Sequence, residues 1–337
     1  SCPTRRSSDL LLVAPGNGEE AALAAASVEV RTARTLLEVC AALDGRKTLP
    51  LACPRSCTEA PMPDLADVRG QAQARRALEI AAAGAHHLLL VGPPGSGKTL
   101  LASRLGGILP EPVDAEALEA ASIASASGRG LDLARWRQRP FRAPHHTASA
   151  AALVGGGSDP RPGEISLAHH GTLFLDELPE WSRHALEVLR EPLESGSVSI
   201  SRAARQCEFP ARFQLVAAMN PCPCGYAGDP RQRCHCTPDQ IQRYRGRISG
   251  PLLDRIDLGV EVPRVPLAEL GAPRGEHDED SAAIRLRVIQ AREHALQRAG
   301  RPNADISTRE LERDCALGPG ERRWFESALE RLGLSAR

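Results

Sequence analysis

The sequence has 337 residues, 42% of them hydrophobic and 25% charged, with 42 basic and 42 acidic groups and a formal net charge of +0. That length suits about two domains, and the composition is ordinary for a globular chain, which excludes disorder, collagen and a small disulfide scaffold as whole-chain classes. No apolar stretch approaches the roughly 18 residues a membrane span needs, so no membrane partner is expected.

Taken in chain order, Leu10–Ala14 reads as a strand, and Glu19–Ala26 and Thr32–Leu43 as helices. Pro50–Pro63, with four Pro and two Cys, reads as a linker in which Cys53 and Cys57 are free thiols. A second unit opens near Asp64. Gln71–Ala83 predicts a helix, His87–Val91 a short buried strand, and Thr99–Leu109 a helix after a glycine-rich loop. Further apolar strands are expected at Thr172–Leu175, Phe213–Met219 and Leu258–Val262, with helices at Ser182–Leu193 and Pro238–Arg245. Ser197–Glu208 predicts a hairpin turning at Arg202–Arg205. After a polar break at Gly271–Asp280, helices are expected at Ser281–Ala299, Ser307–Cys315 and Gly320–Leu332. Strand, glycine loop and helix in that order open a parallel α/β sheet. The expected division is 1–51, a linker at 52–63, a core at 64–266 and a helical unit at 267–337.

Only two of the basic residues are lysines, Lys47 and Lys98. The arginine excess reads as compositional bias. It makes a surviving lysine informative, since a compact ammonium is kept where a guanidinium does not serve. Lys98 lies in Gly92-Pro93-Pro94-Gly95-Ser96-Gly97-Lys98-Thr99, a full match to the phosphate-binding loop pattern, followed by Leu100. Its glycines let backbone N–H groups converge on phosphate oxygens at a helix N-terminus. Lys98 is expected on the β- and γ-phosphates and Thr99 on Mg²⁺. The strand Leu173-Phe-Leu175 ends on Asp176 and Glu177. Asp176 suits holding the magnesium through water and Glu177 the polarisation of the attacking water. The 78 residues between Lys98 and Asp176 leave room for an added element. Asn220, at the end of the next strand, can orient water against the γ-phosphate, or begin a turn before Pro221.

These motifs resemble an AAA+ ATPase. More specific are Phe141-Arg-Ala-Pro-His-His-Thr147, the run Gly163–Glu180, Asn220-Pro-Cys-Pro-Cys-Gly225 and Ile248–Asp257. They resemble the magnesium-chelatase-like branch, and within it the ComM/YifB family, from about Asp64 to Arg337. The resemblance implies an α/β fold: an AAA+ P-loop NTPase core on a parallel sheet with chelatase-type inserts, a small helical lid, and at 1–51 the remnant of an N-terminal Lon/S5-like domain. It implies ATP and Mg²⁺ as cofactors and a homo-hexameric ring in the cytoplasm. Arg255 would reach a neighbour's γ-phosphate, the alternative being a surface arginine paired to Asp254 or Asp257. Arg337 would contact nucleotide from the lid. Residues 141–163 would form an added pore loop.

The family is implicated in DNA branch migration, which makes DNA the expected partner and the activity that of a helicase-type motor. Between Arg202 and Arg255 nine Arg face four acids, and Arg202 and Arg205 at the hairpin tip could track phosphates without reading sequence. A solvated hairpin remains the plain alternative. The paired histidines His145, His146, His169 and His170 read as loop hydrogen bonders. Cys222, Cys224, Cys234 and Cys236 could close a tetrahedral Zn²⁺ site, with free thiols or disulfides as alternatives. Two rival functions stay open: a motor subunit of a magnesium-chelatase-type metal-insertion complex, and a nucleotide-gated scaffold with little turnover.

Overall fold

A computed structural model describes residues 10–24, 28–53, 60–128, 130, 132–157, 160–202, 205–230, 233–266 and 279–332. Arg337, Cys57, the hairpin tip at 203–204 and most of the polar break at 271–280 lie outside the described residues. Two compact units emerge, residues 1–60 with 130–136, and 61–129 with 137–337.

In the first unit, strand β1 (Leu10–Val13) runs parallel to β2 (Glu29–Thr32), with helix α1 (Gly18–Ala24) between them and α2 (Leu36–Leu43) after them. The helix predicted from Thr32 therefore starts late. Val28, Val30 and Thr32 are β-branched and favour a strand where a partner is available. Thr35 then caps α2, its Oγ1 accepting the Glu38 N–H at 3.3 Å.

The second unit is built on a sheet whose order is β11-β3-β10-β7-β4, parallel throughout. Its strands are β3 (Leu88–Val91), β4 (Phe141–Arg142), β7 (Thr172–Leu175), β10 (Gln214–Met219) and β11 (Leu258–Glu261). Two small antiparallel pairs sit outside it, β5 (Gly155–Gly156) with β6 (Arg161–Pro162), and β8 (Ser197–Arg202) with β9 (Arg205–Pro210). The sheet is apolar on both faces, which is why its strands read as continuous hydrophobic runs rather than alternating ones. Leu88, Leu90, Phe174, Val216 and Ala218 belong to one buried layer, with helices α3 (Ala72–Gly84) and α4 (Lys98–Ile108). Leu173, Leu175, Leu215, Ala217 and Met219 belong to the other.

Between α4 and β7 the chain inserts α5 (Asp114–Ala126), β4, α6 (Ala150–Val154), the β5/β6 pair and α7 (Glu164–Leu167). The helix predicted at Ser182–Leu193 is two, α8 (Arg183–Glu187) and α9 (Arg190–Ser195). Pro192 explains the break. In one continuous helix its ring would strike the Val188 carbonyl, whereas in the first turn of α9 its missing N–H costs nothing. Helices α10 (Pro238–Arg245) and α11 (Gly250–Leu253) precede β11. After Asp280, whose carboxylate accepts the Ala283 N–H at 2.8 Å, comes α12 (Ser281–Ala299). It buries Ile284 and Val288 in the layer formed with α3 and α4. Two further helices, Thr308–Asp314 and Pro319–Leu332, follow. Among the described residues no helix is long and apolar enough to cross a membrane.

Candidate nucleotide site

Parallel strands end at one edge of their sheet, and loops at that edge carry the chemistry of such folds. Here the register fixes which side chains meet. Met219 pairs with Val91, so Asn220 and Gly92 leave the sheet level with each other. Ala217 pairs with Leu175, so Asp176 and Glu177 leave one strand further along at the same edge. The result is a cleft of about 400 Å³ lined by residues 94–100, Asp176, Glu177, Met219 and Asn220.

The phosphate loop turns sharply enough to need its glycines. Gly95 and Gly97 have φ of +72° and +95°, and a Cβ built on either would meet nothing, so the surface they present is open. Gly92 is needed for another reason, because a Cβ there would fall 2.1 Å from the Val262 carbonyl of the neighbouring segment. Lys98 is buried at the start of α4. Its Nζ donates to Gly92 O at 2.7 Å, Pro93 O at 3.0 Å and Asn220 Oδ1 at 3.2 Å. Burial pushes its pKa below the usual lysine range, while Asp176 and Glu177 pull it upward. Thr99 Oγ1 donates to Asp176 Oδ2 at 2.7 Å. A hydroxyl and a carboxylate side by side are the hard oxygen groups that suit Mg²⁺ and its bound water, so the residues present fit this ion. Ser96 Oγ is buried with no hydrogen-bond partner among the described residues.

Two groups at this site were not read from the sequence in these roles. His146 Nδ1 lies 3.0 Å from Glu177 Oε2. The signal was present in the order of elements: β4 pairs parallel with β7, so the segment after Arg142 heads for the edge where Glu177 sits. Gln71 is the second, its Nε2 donating to Ser96 O at 3.2 Å and Pro263 O at 2.5 Å from a left-handed backbone, φ +55°. Glu177 also has positive φ, +51°, a conformation costing a non-glycine residue about 1–2 kcal/mol. Its N–H donates to Asp176 Oδ1 at 2.9 Å, and Trp181 Nε1 donates to Asp176 O at 2.9 Å, which together hold the turn.

The family described as magnesium chelatase, subunit ChlI matches residues 64–270, and the C-terminal family of the same subunit matches residues 278–337. The chain belongs to the magnesium chelatase ChlI family. Within it, the chain is of the ComM/YifB kind. It is 51% identical over 334 residues to the competence protein ComM of Haemophilus influenzae, covering 97% of this chain and 65% of that protein. It is 51% identical over 304 residues to YifB of Salmonella typhimurium, covering 90% and 59%. A chloroplastic magnesium-chelatase subunit ChlI of Oryza sativa is 24% identical over 167 residues, covering 48% and 35%. The chain thus spans less than two thirds of the length of the ComM and YifB proteins.

Other candidate residues of this ChlI-family chain lie apart from the cleft. Arg255 is mostly buried, paired to Glu194 and donating to Pro251 O at 2.5 Å. Asp257 accepts the His87 N–H at 2.9 Å and faces His86 Nδ1 at 3.5 Å. Arg202 and Arg205 stand opposite each other in the backbone register of β8 and β9. The four cysteines converge, with Sγ atoms all within 4.8 Å of one another. The second histidine pair joins Glu119. His169 Nε2 lies 3.1 Å and His170 Nε2 2.7 Å from Glu119 Oε2, while His169 Nδ1 accepts the Arg212 N–H at 2.9 Å. With Nδ1 accepting, the neutral His169 ring carries its proton on Nε2, toward Glu119.

Proposed function

We propose that this chain hydrolyses ATP with Mg²⁺ as an AAA+ motor and that its track is DNA. The observation carrying the first half is the convergence of Lys98, the Thr99–Asp176 pair, Glu177 and Asn220 on one cleft at one sheet edge. In this reading Lys98 and the backbone N–H groups of 94–99 bind the phosphates. Glu177 takes a proton from the attacking water, and Asn220 orients that water. Magnesium held by Thr99 and Asp176 would neutralise phosphate charge. Arg255 is assigned to the nucleotide of a neighbouring copy in a hexameric ring and Arg337 to the chain's own nucleotide.

DNA as the track is supported by the 51% identity to a competence protein and by the arginines at the hairpin. A magnesium-chelatase-type motor is the rival reading, supported by the family's description and by the 24% identical chloroplast relative. ATP turnover with and without single-stranded DNA, at low and moderate salt, separates the two. Stimulation that fades as salt rises is expected, because phosphate contacts release counterions. Turnover indifferent to DNA would favour the chelatase-type reading.

A further inference from the structure

The segment after Asn220 leaves the sheet, makes a compact loop and returns as α10. Cys222 and Cys224 stand at its start, Cys234 and Cys236 at its end. Three of the thiols form a triangle with sides of 3.4 Å (Cys222–Cys224), 3.7 Å (Cys222–Cys234) and 3.5 Å (Cys224–Cys234), and Cys236 completes the group within 4.8 Å. Four sulfurs on a tetrahedron around Zn²⁺ are about 3.8 Å apart, given Zn–S bonds of about 2.3 Å. No two of the four are singled out as a disulfide pair, since the three sides are nearly equal and all four cysteines are free. Backbone N–H groups already point at the sulfurs. Ala227 N donates to Cys222 Sγ at 3.3 Å and Cys236 N to Cys234 Sγ at 3.4 Å. Such donors offset the negative charge of a four-thiolate site.

The loop is also fastened to the phosphate loop. Gly225 abuts Pro94 so closely that a Cβ there would lie 2.5 Å from Pro94 Cδ, and the same Cβ would touch Asn220 Cγ at 3.9 Å. Arg264 joins the two from the other side. Its guanidinium lies over the Tyr226 ring at 5.4 Å, its Nε is 3.3 Å from Asp229 Oδ2, and its Nη2 donates to Pro94 O at 3.5 Å.

We propose that Cys222, Cys224, Cys234 and Cys236 bind one Zn²⁺ as four thiolates, and that this metal holds the loop as the backing against which Pro94 and Asn220 are set. Zinc and nucleotide are then linked ligands, each tightening the other. The metal half of the proposal stands on the cysteines alone. The linkage half rests on the nucleotide-site reading above.

The test begins with the unmutated protein, purified without added metal or chelator. Elemental analysis is expected to give about one zinc per chain. An organomercurial titration of the ten thiols should release that zinc over an interval of four equivalents. Replacement by Co²⁺ should give the visible absorption of a tetrahedral thiolate site. Zinc absent with four freely reactive thiols, or iron in its place, or a disulfide found by mass spectrometry, would each overturn the metal site. For the linkage, titration with a fluorescent ATP analogue is run before zinc removal, after it, and after zinc is restored. Affinity should fall by about 5- to 150-fold and recover, the usual span for two coupled sites, and by reciprocity saturating ATP should tighten zinc against a competing chelator by the same factor. Unchanged ATP affinity in the zinc-free protein, with circular dichroism showing it folded, would overturn the linkage. Affinity lost and not regained on restoring zinc would do the same.

Discussion

Gly225 and Gly228 lie in the cysteine loop with nearly the same left-handed backbone, φ +85° and +82°. Their surroundings differ. A Cβ at Gly225 would meet Pro94 Cδ at 2.5 Å, while one at Gly228 would meet nothing within 4 Å. Alanine at either position carries the left-handed strain, about 1–2 kcal/mol. At Gly225 the proline ring has no rotamer by which to withdraw, so overpacking adds about 1–3 kcal/mol. Gly225→Ala is therefore expected to lose about 2–5 kcal/mol and Gly228→Ala about 1–2 kcal/mol. Urea denaturation of the two variants beside the unmutated protein measures both. Their difference isolates the contact with the phosphate loop, so nucleotide affinity should weaken in Gly225→Ala and stay close to normal in Gly228→Ala. Equal losses of stability, or equal nucleotide affinities, would refute the claim that this loop bears on Pro94.

Glu177→Gln keeps the shape of the side chain and removes the base. ATP should bind as before and turnover should drop by about 10²–10⁴-fold; turnover within a few-fold of normal removes Glu177 from that role. His146→Ala frees the Glu177 carboxylate from its imidazole partner. Both side chains are partly exposed, so the pair contributes about 0.2–1 kcal/mol, and basal turnover should rise by a factor of about 1.4–5. A fall in turnover would mean that His146 assists rather than restrains the base. Thermal unfolding followed from pH 7.5 to 5.5 tests His169. Burial holds its pKa below the usual value, helped by the nearby charges of His170 and Arg212 and opposed by Glu119. The unfolded chain therefore takes up the proton first, below about pH 6.5. Stability should be full at pH 7.5 and decline as pH drops, and His169→Gln should flatten that decline. A slope unchanged by the substitution would show that other groups set it.

What the sequence disclosed, it disclosed where chemistry or periodicity is local. The phosphate loop is a continuous string, and its strand and helix are each one apolar run, so Gly92 to Thr99 could be placed without a fold. Asp176 and Asn220 could be placed because both end buried strands, and parallel strands share an edge. The elements that escaped are those whose partners are distant. Strand β2 exists because β1 is beside it. Strand β4 is two residues long, Phe141–Arg142, and only its pairing with Thr172 and Leu173 makes it a strand. Arg255 shows the same limit for a side chain: its neighbours in sequence are Asp254 and Asp257, yet its partner is Glu194 on another helix. The sequence reads His146 as a loop hydrogen bonder, and that its partner is Glu177, two residues past β7, depends on the register of the sheet edge.

Every side chain along Gln214–Met219 is buried, three toward each face of the sheet. A strand of this kind has no neutral side on which substitutions can accumulate. It works as a ruler, setting where Asn220 emerges to within one residue's rise of about 3.3 Å. The cysteine loop hung from its end starts from that mark, so the point at which Gly225 meets Pro94 is fixed from within the sheet.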